Sequence, residues 1–133
     1  MSLIVTNQSR VLMLEIIMNK STSSGDRRLK LFVNNVVPTQ NTVLEDLTEC
    51  TATGYISKVL SGSSWNVETV DGITSASYDE QVFDIEEEIL IYGYYVTNNT
   101  GTQLLWLERF VGAPYSLPTG GGSIGIELSF TLS

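Results

Sequence analysis

The 133-residue sequence contains no histidine and only one cysteine, Cys50, and these two scarcities remove most catalytic possibilities before any pattern is read. The usual hydrolase nucleophiles need an imidazole base, and the common zinc sites need several Cys and His side chains together. One cysteine also excludes an intramolecular disulfide, so the fold must rest on its apolar core, and oxidising secretion gains no support. Positive charge is scarce too, with seven Lys and Arg against 15 Asp and Glu and a formal net charge of −8. A phosphate-tracking surface needs more than that, which argues against nucleic acid. The one dense basic group, Arg27, Arg28 and Lys30, reads as a solvated turn. No apolar stretch approaches the roughly 20 residues of a membrane span, and the N-terminus lacks the pattern of a signal peptide. The chain therefore reads as a soluble, unprocessed protein made in the cytoplasm, with no membrane partner.

What is present favours strands. Charged residues make up 17% of the chain while Gly, Ser, Thr and Asn are abundant, a mix that suits sandwiches and barrels better than helical bundles. The strongest signal runs from Ile89 to Phe110, where two β-rich runs flank Asn98-Asn99-Thr100-Gly101. Centring the turn on Asn99-Thr100 pairs Gly93 with Trp106, Ile91 with Glu108 and Tyr92 with Leu107. Tyr92, Tyr94, Leu105 and Leu107 then form one face, and Ile89, Ile91, Trp106 and Phe110 the other. Both faces are apolar, so the hairpin is expected at the centre of a sheet covered on each side. A three-residue loop would shift the pairing by one.

Further strands follow from alternation. Leu29, Leu31 and Val33 share a parity, and Tyr55 to Leu60 and Trp65 to Val70 alternate, the second run closed by Asp71-Gly72. Residues Ser75 to Ile85 are strand-like but mix apolar and polar side chains on both parities. In the last segment Ile124, Ile126, Leu128, Phe130 and Leu132 point one way, as a core strand requires. Pro38 opens a loop, and Val111 to Thr119 reads as a proline-punctuated loop. The one helical signal covers about residues 7–19: Thr6 or Asn7 caps it, and Leu12, Ile16 and Ile17 share a face. The whole chain, 1–133, is thus expected to be a single all-β domain: a two-sheet antiparallel β-sandwich or jelly-roll-like barrel with a short N-terminal helix.

The remaining chemistry is thin. Asp79, Glu80, Asp84 and Glu108 are the carboxylates available for glycosidase-type acid–base work, but nothing frames them. Asp84, Glu86 and Glu88 are the best arrangement for calcium, yet the run reads more simply as a solvated loop, and no Asp-x-Asp-x-Asp-Gly loop occurs. Gly120, Gly121 and Gly122 lack the Lys-Ser or Lys-Thr of a phosphate cradle. Tyr115 and one of the two tryptophans are candidate platforms for sugar rings. No catalytic residue, metal ligand or cofactor is assigned, and the chain is not expected to be an enzyme. Two segments are candidate interfaces: the N-terminal residues Leu12, Ile16 and Ile17, and the loop residues Pro114, Tyr115 and Leu117.

The order Leu29-Lys30-Leu31-Phe32-Val33-Asn34-Asn35-Val36-Val37-Pro38, Thr53-Gly54-Tyr55, Ser64-Trp65, Ile91-Tyr92-Gly93-Tyr94-Tyr95-Val96-Thr97 and Leu105-Trp106-Leu107-Glu108-Arg109-Phe110 resembles small virion proteins of tailed bacteriophages, especially those infecting cyanobacteria. The similarity runs over nearly the full length in short patterns. The chain departs from the family pattern in having Leu107 where Ala is expected, and in the acidic insert Glu86, Glu87 and Glu88. The resemblance implies a capsid decoration, or cement, protein. Such a protein is a β-sandwich on the capsid exterior that binds the major capsid protein, associates with itself as a homodimer or homotrimer, and stabilises contacts between capsid subunits. The alternative is a phage tail or host-surface module that binds carbohydrate.

Overall fold

The structure is a computed structural model describing residues 3–18 and 25–132. Residues 19–24 of the polar run lie outside the described residues; the helix expected over about 7–19 ends at Ile17, with Met18 as its C-cap. In chain order the elements are β1 (Ile4–Val5), α1 (Asn7–Ile17), β2 (Arg27–Phe32), β3 (Lys58–Leu60), β4 (Asn66–Val70), β5 (Ile73–Ile85), β6 (Ile89–Ile91), β7 (Gly93–Thr97), β8 (Leu104–Arg109), β9 (Tyr115–Leu117) and β10 (Gly122–Leu132). A five-stranded sheet runs β1-β8-β7-β2-β3, a three-stranded sheet β10-β5-β4, and β6 pairs with β9; all these pairings are antiparallel. The chain is an all-β antiparallel sandwich with a short N-terminal helix, as the alternation predicts.

The core lies between the two larger sheets. Leu29 and Leu31 of β2 and Tyr94 and Val96 of β7 are buried with Phe83 and Ile85 of β5 and Ile124, Ile126 and Leu128 of β10. On the other face of the five-stranded sheet, Phe32, Tyr95, Leu104 and Leu107 are buried against Ile4, Val36, Leu44 and Leu47. Every residue of β7 is therefore buried, which is the doubly covered central strand expected from the sequence.

The hairpin register is a correction. Gly93 pairs with Arg109, Tyr94 with Glu108, Tyr95 with Leu107 and Val96 with Trp106, followed by a bulge at Thr97. The connection is longer than a two- or three-residue turn because Asn98 organises it: its Oδ1 accepts from the N–H of Thr102 at 2.8 Å and of Gln103 at 3.0 Å, and Gly101 turns the chain at φ 73°. The shift is an odd number of residues, so the face assignment changes as well. Tyr94 joins Trp106 in the inter-sheet core, whereas Tyr95 and Leu107 lie on the opposite face. Ile89 and Ile91 leave the hairpin altogether and pair with Leu117 and Tyr115.

Two further expectations are revised. The basic group expected in a turn lies in β2, where burial of Leu29 and Leu31 holds the strand; Arg28 donates to Asn99 O and Lys30 sits 3.5 Å from Glu49. The loop 111–119 contains β9, because Leu117 finds a place in the core.

Residues 75–85 look mixed for a reason that the structure makes plain. Ile126 pairs with Gln81 and Leu128 with Tyr78, so β5 carries one extra residue there. The bulge switches the inward parity, and both Phe83 and Tyr78 turn to the core side. Beyond the bulge the three-stranded sheet continues outward, with Val67, Ala76 and Phe130 in line across its strands. All five residues of β4 there are exposed.

α1 begins at Thr6, whose extended backbone (φ −73°, ψ 159°) and side chain cap it. The Thr6 hydroxyl accepts from the N–H of Ser9 and donates to the Leu104 carbonyl at 2.6 Å, so one buried group both starts the helix and fastens it to β8.

Candidate interaction surface

Four aromatic side chains from four parts of the chain meet where α1 reaches the sandwich. Trp65 lies edge-on to Tyr78 at 5.0 Å and to Trp106 at 6.1 Å, and Trp106 lies 5.8 Å from Phe130. Such tilted and edge-to-face contacts are the favoured geometries of π systems. Met13 of α1 approaches the same cluster, and Met13, Trp65, Ala76, Trp106 and Phe130 bound an open cavity of about 180 Å³ with apolar walls. Both tryptophans are thus half-buried in an aromatic cluster.

The N-terminal candidates divide between two sides of α1. Leu12 is half-buried, Ile16 is exposed at the margin and Ile17 is 71% exposed. Val11, Leu14 and Met18 are exposed as well. The sequence reading missed these three, although the spacing 11, 14, 18 carries the signal. Among the loop candidates, Pro114 is exposed and Tyr115 is 48% exposed, while Leu117 is 3% exposed and belongs to the core. The structure does not present Leu117 alongside its two neighbours.

The acidic residues hold loops in place. Asp84 accepts from the Ser123 hydroxyl, Glu87 from the Thr53 N–H, and Glu88 from the Thr119 hydroxyl. Among the described residues no three His, Cys, Asp or Glu side chains gather as a metal site would need. Glu108 accepts from the Tyr94 hydroxyl at 2.9 Å, on a different sheet from Asp79, Glu80 and Asp84. No helix among the described residues is long and apolar enough to cross a membrane.

Burial pushes the Tyr94 and Tyr55 phenols above their ordinary range, helped by hydrogen bonds to Glu108 and Glu49; burial and the charge of Glu49 do the same for Tyr95. A raised folded-state value keeps the proton on the native protein after the unfolded chain has begun to lose it. The contribution to stability is therefore complete below the unfolded tyrosine value of about 10 and is lost as pH rises above it. The expected result is a denaturation midpoint that starts to fall near pH 10, with tyrosinate absorbance from these three groups appearing together with unfolding. Their ionisation near pH 10 in a still-folded protein would contradict this.

Comparison with family models, curated proteins and solved structures finds no match to this chain. What the fold and surface define is a class: an antiparallel β-sandwich bearing an uncovered apolar ridge and groove.

Proposed function

We propose that the protein is a structural assembly module and that it acts as a virion decoration protein, binding the major capsid protein on the capsid exterior and stabilising contacts between subunits. The observation that carries the reading is the exposed apolar side of α1 beside the open aromatic groove. Apolar patches of this kind, left open by a folded domain, mark interaction sites. The short-pattern resemblance to small phage virion proteins supplies the particular setting. An array of identical sites on a shell suits such a module, since linked contacts raise overall affinity without strengthening any one of them.

The test is co-sedimentation with empty capsids of the phage whose genome encodes the chain. Saturable binding, together with greater resistance of the shells to heat, is expected. Absence from the shell pellet at saturating concentration would refute the decoration role.

A second reading, a carbohydrate-binding tail module, draws on exposed Tyr115 beside Pro114 and Val111. It predicts glycan binding that Tyr115→Ala abolishes.

A further inference from the structure

The two larger sheets end differently. The five-stranded sheet is bounded by β1 and β3, of two and three residues, and such short edges offer little to a further strand. The three-stranded sheet is bounded on one side by β10, which runs for 11 residues with β5 as its one strand partner among the described residues. In an antiparallel pair every second residue turns its N–H and C=O away from the partner. From Ser123 to Thr131 no loop or side chain among the described residues hydrogen-bonds to that outer row. β10 also holds no proline, lysine or arginine, and the bulge in this sheet sits on β5, so the usual guards of an edge are missing. Its backbone is held firmly, because Ile124, Ile126 and Leu128 are buried in the core; the opposite edge, β4, is exposed along its whole length.

The charge beside this row is of one sign. The three strands carry Glu68, Asp79, Glu80, Asp84 and Glu127 and no Lys or Arg, and Lys58 meets the sheet on its inner side, over the Phe83 ring. Glu127, the middle residue of β10, is exposed and lies opposite the bulge, between the pairs Ile126–Gln81 and Leu128–Tyr78. Glu80 belongs to that bulge, and its carboxylate lies over Gly125: a Cβ at 125 would come within 2.7 Å of Glu80 Oε2. The missing side chain therefore lets a second carboxylate reach across β10 on the face that Glu127 occupies. Neither Glu80 nor Glu127 meets a base among the described residues.

We propose that the open edge of β10 takes up an extended segment of a different protein as a further strand, with Lys or Arg at the positions that share the outer face with Glu80 and Glu127. Strand addition supplies the open row with its missing N–H and C=O partners. Opposite charges on neighbouring strands stabilise the pairing, and like charges directly opposite destabilise it. A second copy of β10 is the wrong occupant, since antiparallel pairing about the strand's middle sets Glu127 against Glu127. The carboxylates thus turn copies away and favour a cationic strand. This site does not depend on the decoration role.

Fluorescence anisotropy of a labelled peptide of about nine residues alternating Lys and Val, titrated with the full chain, tests this together with amide hydrogen exchange followed by NMR. Every second amide of β10 should exchange rapidly in the free protein, and the peptide should slow those amides while leaving the set bonded to β5 as it was. A peptide alternating Glu and Val should not bind. N-methylation at every Lys or at every Val blocks one peptide edge and keeps the charge, so one of the two forms should lose at least about tenfold in affinity. Glu127→Gln and Glu80→Gln each alter an exposed side chain, leave the melting temperature in place and weaken binding about two- to fivefold. Slow exchange along all of β10 before peptide is added, absence of saturable binding, or undiminished binding of both N-methylated forms overturns the proposal, the last by reducing the site to a charged surface. Edge amides that become protected as the chain alone is concentrated also overturn it, by making a second copy the occupant. Peptide binding by a chain that ignores shells keeps this site and removes the decoration role.

Discussion

Replacing Gly93 by alanine is expected to destabilise the protein by about 3 kcal/mol or more, at the upper end of overpacking costs. The reason is a close approach in the centre of the larger sheet. A Cβ at position 93 would overlap the backbone carbonyl of Glu108 and come within 2.5 Å of Phe32 Cε1 and 2.6 Å of Cζ. Neither neighbour can retreat cheaply, because the Glu108 carbonyl belongs to β8 and the Phe32 ring is fully buried against Tyr95. The penalty should appear as a fall in melting temperature of roughly 10–15 °C, followed by near-ultraviolet circular dichroism. A Gly93→Ala protein that melts within a few degrees of the parent would mean that β2, β7 and β8 do not pack as described.

Phe83→Ala should cost about 3–5 kcal/mol, the range for removing a buried aromatic side chain. Phe83 is almost fully buried between the sheets. Its ring stacks on Tyr55 at 5.7 Å with planes 9° apart, and the Lys58 ammonium lies 5.4 Å from its centroid. Truncation removes the partner of both, in addition to its own transfer free energy. Urea denaturation measures the loss as a lowered midpoint, and Phe83→Leu should recover a substantial part by refilling volume. Equal losses for the two variants would place the energetics in the ring contacts and not in the cavity.

The comparison between sequence and fold separates local from non-local information. β10 was legible in full because Ile124, Ile126 and Leu128 keep one parity from the first residue to the last, and a strand buried on one face writes that parity directly. α1 was legible for the same kind of reason, through its Thr6 cap and helical spacing. β5 was blurred because a bulge opposite residues 126–128 reverses the inward parity midway, and a single extra residue leaves no mark in composition. The hairpin register failed at Asn98. Asparagine fits several turn types equally well, and which one forms depends on whether its side chain captures the amides of Thr102 and Gln103. β9 was hidden by its prolines, since only the distant β6 gives residues 115–117 a partner.

The candidate surface was half legible for a similar reason. Apolar residues in α1 were plain, but which of them face the body depends on where β8 lies. The groove was not legible at all: Met13, Trp65, Ala76, Trp106 and Phe130 are scattered along the chain and are brought together only by the packing of two sheets and a helix.

The double duty of Thr6 bears on when this surface comes into being. Eleven residues are too few to hold a stable helix alone in water. The group that caps α1 is tied to Leu104, 98 positions away, so the helix is secured only once β8 has taken its place in the sheet. The ridge is therefore held in place only when the sheet that carries β8 is assembled. A nascent or misfolded chain lacks it, and an assembly that selects partners through that ridge would admit finished molecules and leave incomplete ones outside.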